Sequence, residues 1–464
     1  MGATVLLAVL VASSLRQAPQ TPPAPAQEGQ FHAEVRREWE RAGESCNSFS
    51  ATGAMGCVIE LATDHPFHVA VGSLAPQNGL GMGGAFVYEV PKPTFDTNLN
   101  IDAVRSIDGA WRAGAYLTLV RTNVQTGTLA GPTSKGSSGI HPYPIFALYA
   151  QTTATPNLLF LGEPGDGRGS SAWGMRETVV GGNALVPIVA SGAAALAAYG
   201  EVDGRFVALE TSTFNNEPTI GSVYDPLSAP GLATQPGMVE FTEGLRAAPS
   251  LWHDQLRLTY SIALQEFVTS SDSTDSFRRV RVDLNHDIPW RGTAPGAPVP
   301  GNGPDQCVAG SSTETCPAVS TNQYGTIHLG VRLIKSFAGA SGAVPFYFQP
   351  TLGGTDIDGT PGLAAFGDYS LRGPDLVFFQ ASVEHSLWWA VGGLVEAAAG
   401  NVGLPTAPLR LSHLHDSIGA GLTLRAGGFP MLVAEYAWSA ETGHRVVVTL
   451  NASLLGGGSR PSSF

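Results

Sequence analysis

LRLTYSIALQ, Leu256 to Gln265, alternates without a break. Leu256, Leu258, Tyr260, Ile262 and Leu264 fall on one side, and Arg257, Thr259, Ser261, Ala263 and Gln265 on the other. A period of two marks a strand whose faces meet different surroundings. The pattern recurs on both sides of this stretch. RRVRVDLN sets Val280, Val282 and Leu284 against Arg279, Arg281, Asp283 and Asn285. IHLGVRL sets Ile327, Leu329, Val331 and Leu333 against His328, Gly330 and Arg332. RVVVTLNASL puts Val446, Val448, Leu450, Ala452 and Leu454 on one face and Arg445, Val447, Thr449, Asn451 and Ser453 on the other.

A water-soluble sandwich also alternates, so the polar face decides. A sandwich would show scattered Lys and Glu to solvent. Here the strands run to about ten residues, a membrane-crossing length, and their polar face favours Arg, Asp, Asn, Thr, Ser and Gly, as a barrel lumen does. Tyr436, Trp438, Trp388 and Trp389 lie near strand ends, where an interfacial girdle needs them. Segments of this kind from FHVAVGS to RVVVTLNASL number about sixteen, an even count as bacterial barrels have. The pattern predicts an all-β fold: a transmembrane antiparallel β-barrel of outer-membrane type, with outer-membrane lipid around it.

Composition agrees. The chain has 464 residues, a net charge of −13, 57 glycines and only 14% charged residues, against about a quarter in soluble proteins. An acidic chain without a Lys/Arg cluster argues against a nucleic-acid partner. No apolar run reaches the ~18 residues of a membrane helix. The nearest, ALVPIVASGAAALAAY from Ala184, is broken by Pro187 and by Ser191-Gly192, and reads as strand, turn, strand.

The N-terminus carries an apolar run, Val5 to Ala12, before a Pro/Gln-rich spacer. This fits a secretory signal peptide without the usual early basic residue; the alternative is a buried N-terminal strand. We expect signal and linker over residues 1–26, then a short periplasmic segment over 27–60 with one helix at Phe31–Ser45. The barrel is expected over 61–455 and a flexible tail over 456–464. Four cysteines form two local pairs, Cys46 with Cys57 and Cys307 with Cys316. Proximity favours these disulfides in an oxidising compartment, with free cysteines as the alternative.

Chemistry is sparse. GLGMGG, Gly79 to Gly84, matches a dinucleotide pattern but runs on as a strand rather than opening a helix. HLHD, His413 to Asp416, lacks a further ligand at metal spacing. No G-x-S-x-G elbow is present, and SSDSTDS from Ser270 reads as a solvated turn. We expect no enzyme, no cofactor and no metal site.

One loop stands out. TPGLAAFGDYSLRGPD, Thr360 to Asp375, is glycine-punctuated yet holds an apolar LAAF and a single arginine. From VPFYFQPTLGG at Val344 through FGDYSLRGPDLVFFQASVEH, WAVGGLVEAAAGNVG, SIGAGLTLRAGG and LVAEYAWSAETGHRVVVTL, the chain resembles the bacterial surface-antigen family, the outer-membrane assembly barrels of BamA/TamA type. Weaker similarity extends back over FRRVRVDLNHDIP and WGMRETVVGGN. The resemblance implies sixteen strands and insertion or translocation of proteins at the outer membrane. Many members carry periplasmic POTRA domains; only about thirty residues separate the expected signal peptide from the first strand here, too few for such a domain.

In that family the loop after the eleventh strand folds into the lumen, and an Arg-Gly-aromatic motif pairs with carboxylates on the next two strands. The resemblance places that motif at Arg372 and Gly373, with Glu384 and Glu396 as the lumenal partners. A guanidinium fork can serve two carboxylates at once. Pro374 replaces the usual aromatic and stiffens the backbone, while Phe366 offers apolar packing nearby. The alternative is that Arg372 sits in a solvated external loop. A second departure is GGGSRPSS, which separates Phe464 from the last strand. Three functions follow in order of preference: a reduced insertion or translocation barrel, acting as a monomer; a passive pore or surface scaffold; and a secreted soluble β-enzyme.

Overall fold

The computed structural model describes residues 67–450 apart from 92–93, 122–139, 141–142, 163–166, 192–193, 253–254, 270–274, 292–322, 341, 389–390, 405–407 and 427–428. The expected signal peptide, the helix at 31–45, all four cysteines and the tail at 456–464 lie outside the described residues.

The chain forms β1 (Phe67–Ser73), β2 (Leu80–Pro91), β3 (Phe95–Ser106), β4 (Trp111–Arg121), β5 (Ile145–Phe160), β6 (Ser171–Ser191), β7 (Ala194–Thr211) and β8 (Met238–Ala247). It continues with β9 (Ser250–Leu251), β10 (Leu256–Thr269), β11 (Phe277–Arg291), β12 (Gln323–Ala338), β13 (Asp375–Trp388), β14 (Val391–Gly403), β15 (His415–Ala426), β16 (Phe429–Ser439) and β17 (Gly443–Leu450). Apart from β8 and β9, each strand pairs antiparallel with the next. The two-residue β9 only extends the start of β10, and β8 passes its pairing directly to β10. Among the described residues, sixteen strands therefore make the wall. β17 runs beside β1, which brings the sheet round on itself. ALVPIVASGAAALAAY falls on two strands, with β6 ending at Ser191 and β7 starting at Ala194, but β6 runs on through Pro187 with only a shift of register there.

The wall is apolar outside and polar inside. Ile262 is 50% exposed and Val448 63%, while Glu240 and Asp203 are 1% and 0% exposed. A soluble protein would reverse this arrangement; a sheet crossing hydrocarbon requires it, since lipid offers no hydrogen bonds. Tyr436 and Trp438 stand outward at one end, and Trp388 closes β13 at the other, where girdle aromatics belong. Trp389 lies outside the described residues.

Inside, the charges answer one another. Arg205 meets Glu177 at 2.9 Å, Asp203 at 3.8 Å and Glu240. Asp283 receives both Arg281 at 2.6 Å and Arg332 at 3.2 Å. GLGMGG lies largely within β2, so the dinucleotide pattern is a coincidence of strand sequence. His415 pairs with Glu441 at 2.7 Å, and among the described residues no group of metal-ligating side chains gathers.

Candidate functional site

The connection from β12 to β13, residues 339–374, folds back on itself. After a 3-10 turn at Phe346–Phe348, Leu352 donates its N–H to the Leu371 carbonyl at 3.1 Å and accepts from the Leu363 N–H at 2.7 Å. Two nested hairpins result, which satisfies the backbone of a segment lying inside the barrel. Gly354 makes this possible. Its φ is +61°, and a Cβ there would fall 2.3 Å from Asp368 Oδ1. Tyr369 and Leu371 also carry positive φ, 65° and 53°, a strain of about 1–3 kcal/mol each that the surrounding contacts must hold.

Apolar packing seats the loop. Phe346 and Tyr347 join Phe160 and Trp173 in one cluster, and Phe366 packs with Leu352, Leu363 and Phe378 in a second. The LAAF segment thus supplies the packing predicted for Phe366. Polar bonds then tie the loop to the wall on many sides. Arg279 of β11 donates to the Phe348 carbonyl, and Arg332 of β12 to the Pro361 carbonyl at 3.3 Å. Ser417 Oγ of β15 accepts from the Ala365 N–H at 3.0 Å. Arg445 of β17 donates to the Phe366 carbonyl at 2.7 Å and pairs with Asp368. The Tyr369 hydroxyl donates to the Pro76 carbonyl in the β1–β2 turn.

Arg372 lies in this loop, 3% exposed, so the external-loop alternative fails. Its partners differ from the expectation. Nη1 donates to the carbonyls of Phe346 at 2.8 Å and Gln349 at 3.1 Å, and the guanidinium lies over the Phe160 ring at 5.9 Å. Gly373 N–H donates to the Pro350 carbonyl at 3.3 Å, and the Pro374 carbonyl accepts from Ser336 Oγ at 2.7 Å.

Glu384 and Glu396 do face inward, but the clasp from Arg372 to them does not form. Glu384 Oε1 accepts from Arg425 Nη1 at 2.6 Å and from Thr423 Oγ1 at 3.0 Å. Glu396 accepts from Gln380 Nε2 at 2.8 Å. Position separates them: Arg372 turns Nη1 to carbonyls inside the loop, its Nε and Nη2 finding no hydrogen-bond partner among the described residues, while Arg425 on the wall already occupies Glu384. The clasp that exists has the opposite polarity. The loop supplies a carboxylate, Asp368, and the wall supplies the arginine, Arg445.

Arg425 and Arg445 both sit at polar-face positions of their strands, so their inward direction was readable; which carboxylate each would meet was not. Gly392 completes the Glu384 site, because a Cβ there would fall 2.3 Å from Thr423 Oγ1 and 2.5 Å from Glu384 Oε1.

No protein-family model matches the chain, and no curated protein does. Several solved structures are similar. CdiB from Acinetobacter baumannii is 11% identical with a TM-score of 0.44, over 83% of this chain and 57% of that one. BamA from Haemophilus ducreyi lacking POTRA domains 1-3 is 12% identical with a TM-score of 0.47, over 82% of this chain and 69% of that one. CdiB from Escherichia coli is 9% identical with a TM-score of 0.45, over 84% and 60%. The chain thus spans well under two thirds of either CdiB.

Burial lowers the Arg372 guanidinium to about 10, against the pull of Asp356 and Tyr369, so it stays charged at neutral pH. Asp356 moves up: burial raises it most, Asp358 adds to this, and Arg372 opposes. A carboxyl held above its unfolded value binds its proton more firmly in the native state. Its contribution is full below the ordinary Asp value and is lost as pH rises through the raised one. Asp356→Asn is expected to flatten that loss. Melting temperatures of the variant and the parent chain should coincide near pH 4 and separate toward pH 8, with the variant higher. The opposite order would show that the Asp356 charge supports the loop.

Proposed function

We propose that this barrel works at the bacterial outer membrane in the insertion or translocation of polypeptides. The observation that carries the reading is where the lumenal loop is bonded. Adjacent residues, Asp368 and Tyr369, reach β17 and the β1–β2 turn respectively. These are the two sides of the line along which the sheet closes. No hydrogen-bonded register joins β17 to β1 among the described residues, whereas every other neighbouring pair of wall strands has one. A loop that spans such a line couples the content of the lumen to the integrity of the wall. That coupling serves a barrel that must part for a polypeptide and has no use in a fixed pore. The names of the similar structures, BamA and CdiB, are consistent with the reading and are not its basis.

The test uses the full chain reconstituted into vesicles. It should accelerate the folding of an unfolded β-barrel client into the same membrane. In planar bilayers it should show brief, irregular openings, and Arg445→Ala and Asp368→Ala should each lengthen them, with the double variant no worse than either single one. A steady ohmic conductance, no client acceleration and no response to these variants would favour a passive pore or scaffold.

A further inference from the structure

The outer face of β5 to β10 carries a feature that the lumenal loop does not explain. Glu243 of β8 is exposed on the apolar side of the wall. Val239, Phe241 and Leu245 share its face at 41%, 46% and 46% exposure. Its cross-strand neighbours are Gly200 on β7 and Leu264 on β10, with Ala184 of β6 beyond Gly200. The carboxylate therefore lies within the apolar band. Other outward acids on these strands are paired: Glu266 with Arg278 at 2.8 Å and Glu210 with Arg176 at 3.3 Å. For Glu243, no hydrogen bond or ion pair forms among the described residues.

Beside it runs a groove of about 890 Å³. Gly182, Ala184 and Gly200 form its floor, and Phe146 and Phe241 stand at its sides. A Cβ placed on Gly200 meets nothing within 4 Å. An ionisable group facing hydrocarbon is costly and marks a partner by default. A lipid tail supplies no donor, and head groups stay at the edges of the band.

We propose that this face is an interface with a second copy of the chain. The surface holds both halves of a two-fold contact: rings that project, Phe146, Phe206 and Phe241, and a small-residue groove that can receive them. It also holds both charges. Arg278 is 68% exposed and flanks the groove on the same face as Glu243. Its register partner Glu266 stands opposite Phe241, two residues from Glu243, or ~7 Å along a strand. A two-fold axis passing between positions this close sets each opposite the other on the second copy. In an isologous contact Glu243 of each copy meets Arg278 of the other. This departs from the monomer expected from the sequence.

Sedimentation velocity of the full chain in density-matched detergent tests the proposal, with native mass spectrometry for bound lipid and heat-modifiable gel mobility to confirm folding. A dimer is expected for the parent chain. Gly200→Phe, which fills the groove from within, and Glu243→Lys, which sets like charges together, should each weaken dimerisation more than tenfold. Lys335→Gln, elsewhere on the wall, should leave the dimer intact. Should either variant fail to fold, Glu243→Gln keeps the shape and should still loosen the dimer severalfold. A monomeric parent chain overturns the proposal: with lipid bound and lost in Gly200→Phe, the groove is a lipid site; without lipid, it has another partner. A dimer that survives Gly200→Phe overturns it too.

Discussion

Arg425→Ala is expected to destabilise the folded barrel by about 3–5 kcal/mol, the range for removing one member of a buried pair. Both side chains are nearly shut off from solvent, 5% exposed for Arg425 and 11% for Glu384. Arg425 donates to both carboxylate oxygens, and Thr423 adds a third bond. Removing the guanidinium leaves a carboxylate with a single neutral donor in a site too closed to rehydrate. The cost is therefore mainly that of the stranded charge rather than of the lost attraction. Unfolding by urea in lipid vesicles, followed by tryptophan fluorescence, measures it. Arg425→Lys should recover only part, since it keeps the charge and loses the guanidinium's other donors and its planar shape. Glu384→Gln should cost less than Arg425→Ala, and the two together should fall short of their sum by about 1 kcal/mol or more. Strict additivity would mean that the two groups do not act as a pair.

The second large effect lies on the opposite face. Ile262→Arg is expected to cost about 2–4 kcal/mol, the range for a basic residue facing lipid near the bilayer midplane. Ile262 stands halfway along β10 and is half exposed to the outside. Leu329→Arg and Val448→Arg should also be costly, by an amount that falls as the position nears a membrane edge. Thr259→Arg, on the lumenal phase of the same strand as Ile262, should be mild, because a guanidinium there can reach other polar groups. The same unfolding assay in vesicles decides. Equal penalties at Thr259 and Ile262 would mean that the two faces meet the same medium and that the wall does not cross a membrane.

Much of this architecture was open to reading in the sequence, for a local reason. A strand with hydrocarbon on one side and polar groups on the other must alternate, and alternation is written in consecutive residues. Ile262 against Thr259, and Val448 against Arg445, declare their faces without any knowledge of neighbours. The inward direction of Glu384, Glu396, Arg425 and Arg445 follows from the same parity. The break between β6 and β7 was marked by Ser191-Gly192, whereas Pro187 lies within β6 at a shift of register. The lumenal place of the loop was expected from the resemblance, and its apolar centre, Leu363 to Phe366, was expected to supply packing.

The pairing of charges was a different kind of question. Arg372 and Glu384 looked like partners because they are close in sequence and fit a known motif, yet Arg372 turns Nη1 to the carbonyls of Phe346 and Gln349 instead. Glu384 is reached instead by Arg425, 41 residues away, and Asp368 by Arg445, 77 residues away. Nothing local encodes those distances. They depend on the register by which β13 to β17 stack, and on the nested turns at Gly354, Tyr369 and Leu371 that aim Asp368 at the wall. The sequence by itself determined that the chain forms a membrane wall and which residues face in, because a two-residue period needs no partner to be meaningful. Only the tertiary structure decided which charges meet, because a guanidinium and a carboxylate bond within about 3 Å, and that proximity is a property of register and closure rather than of either residue.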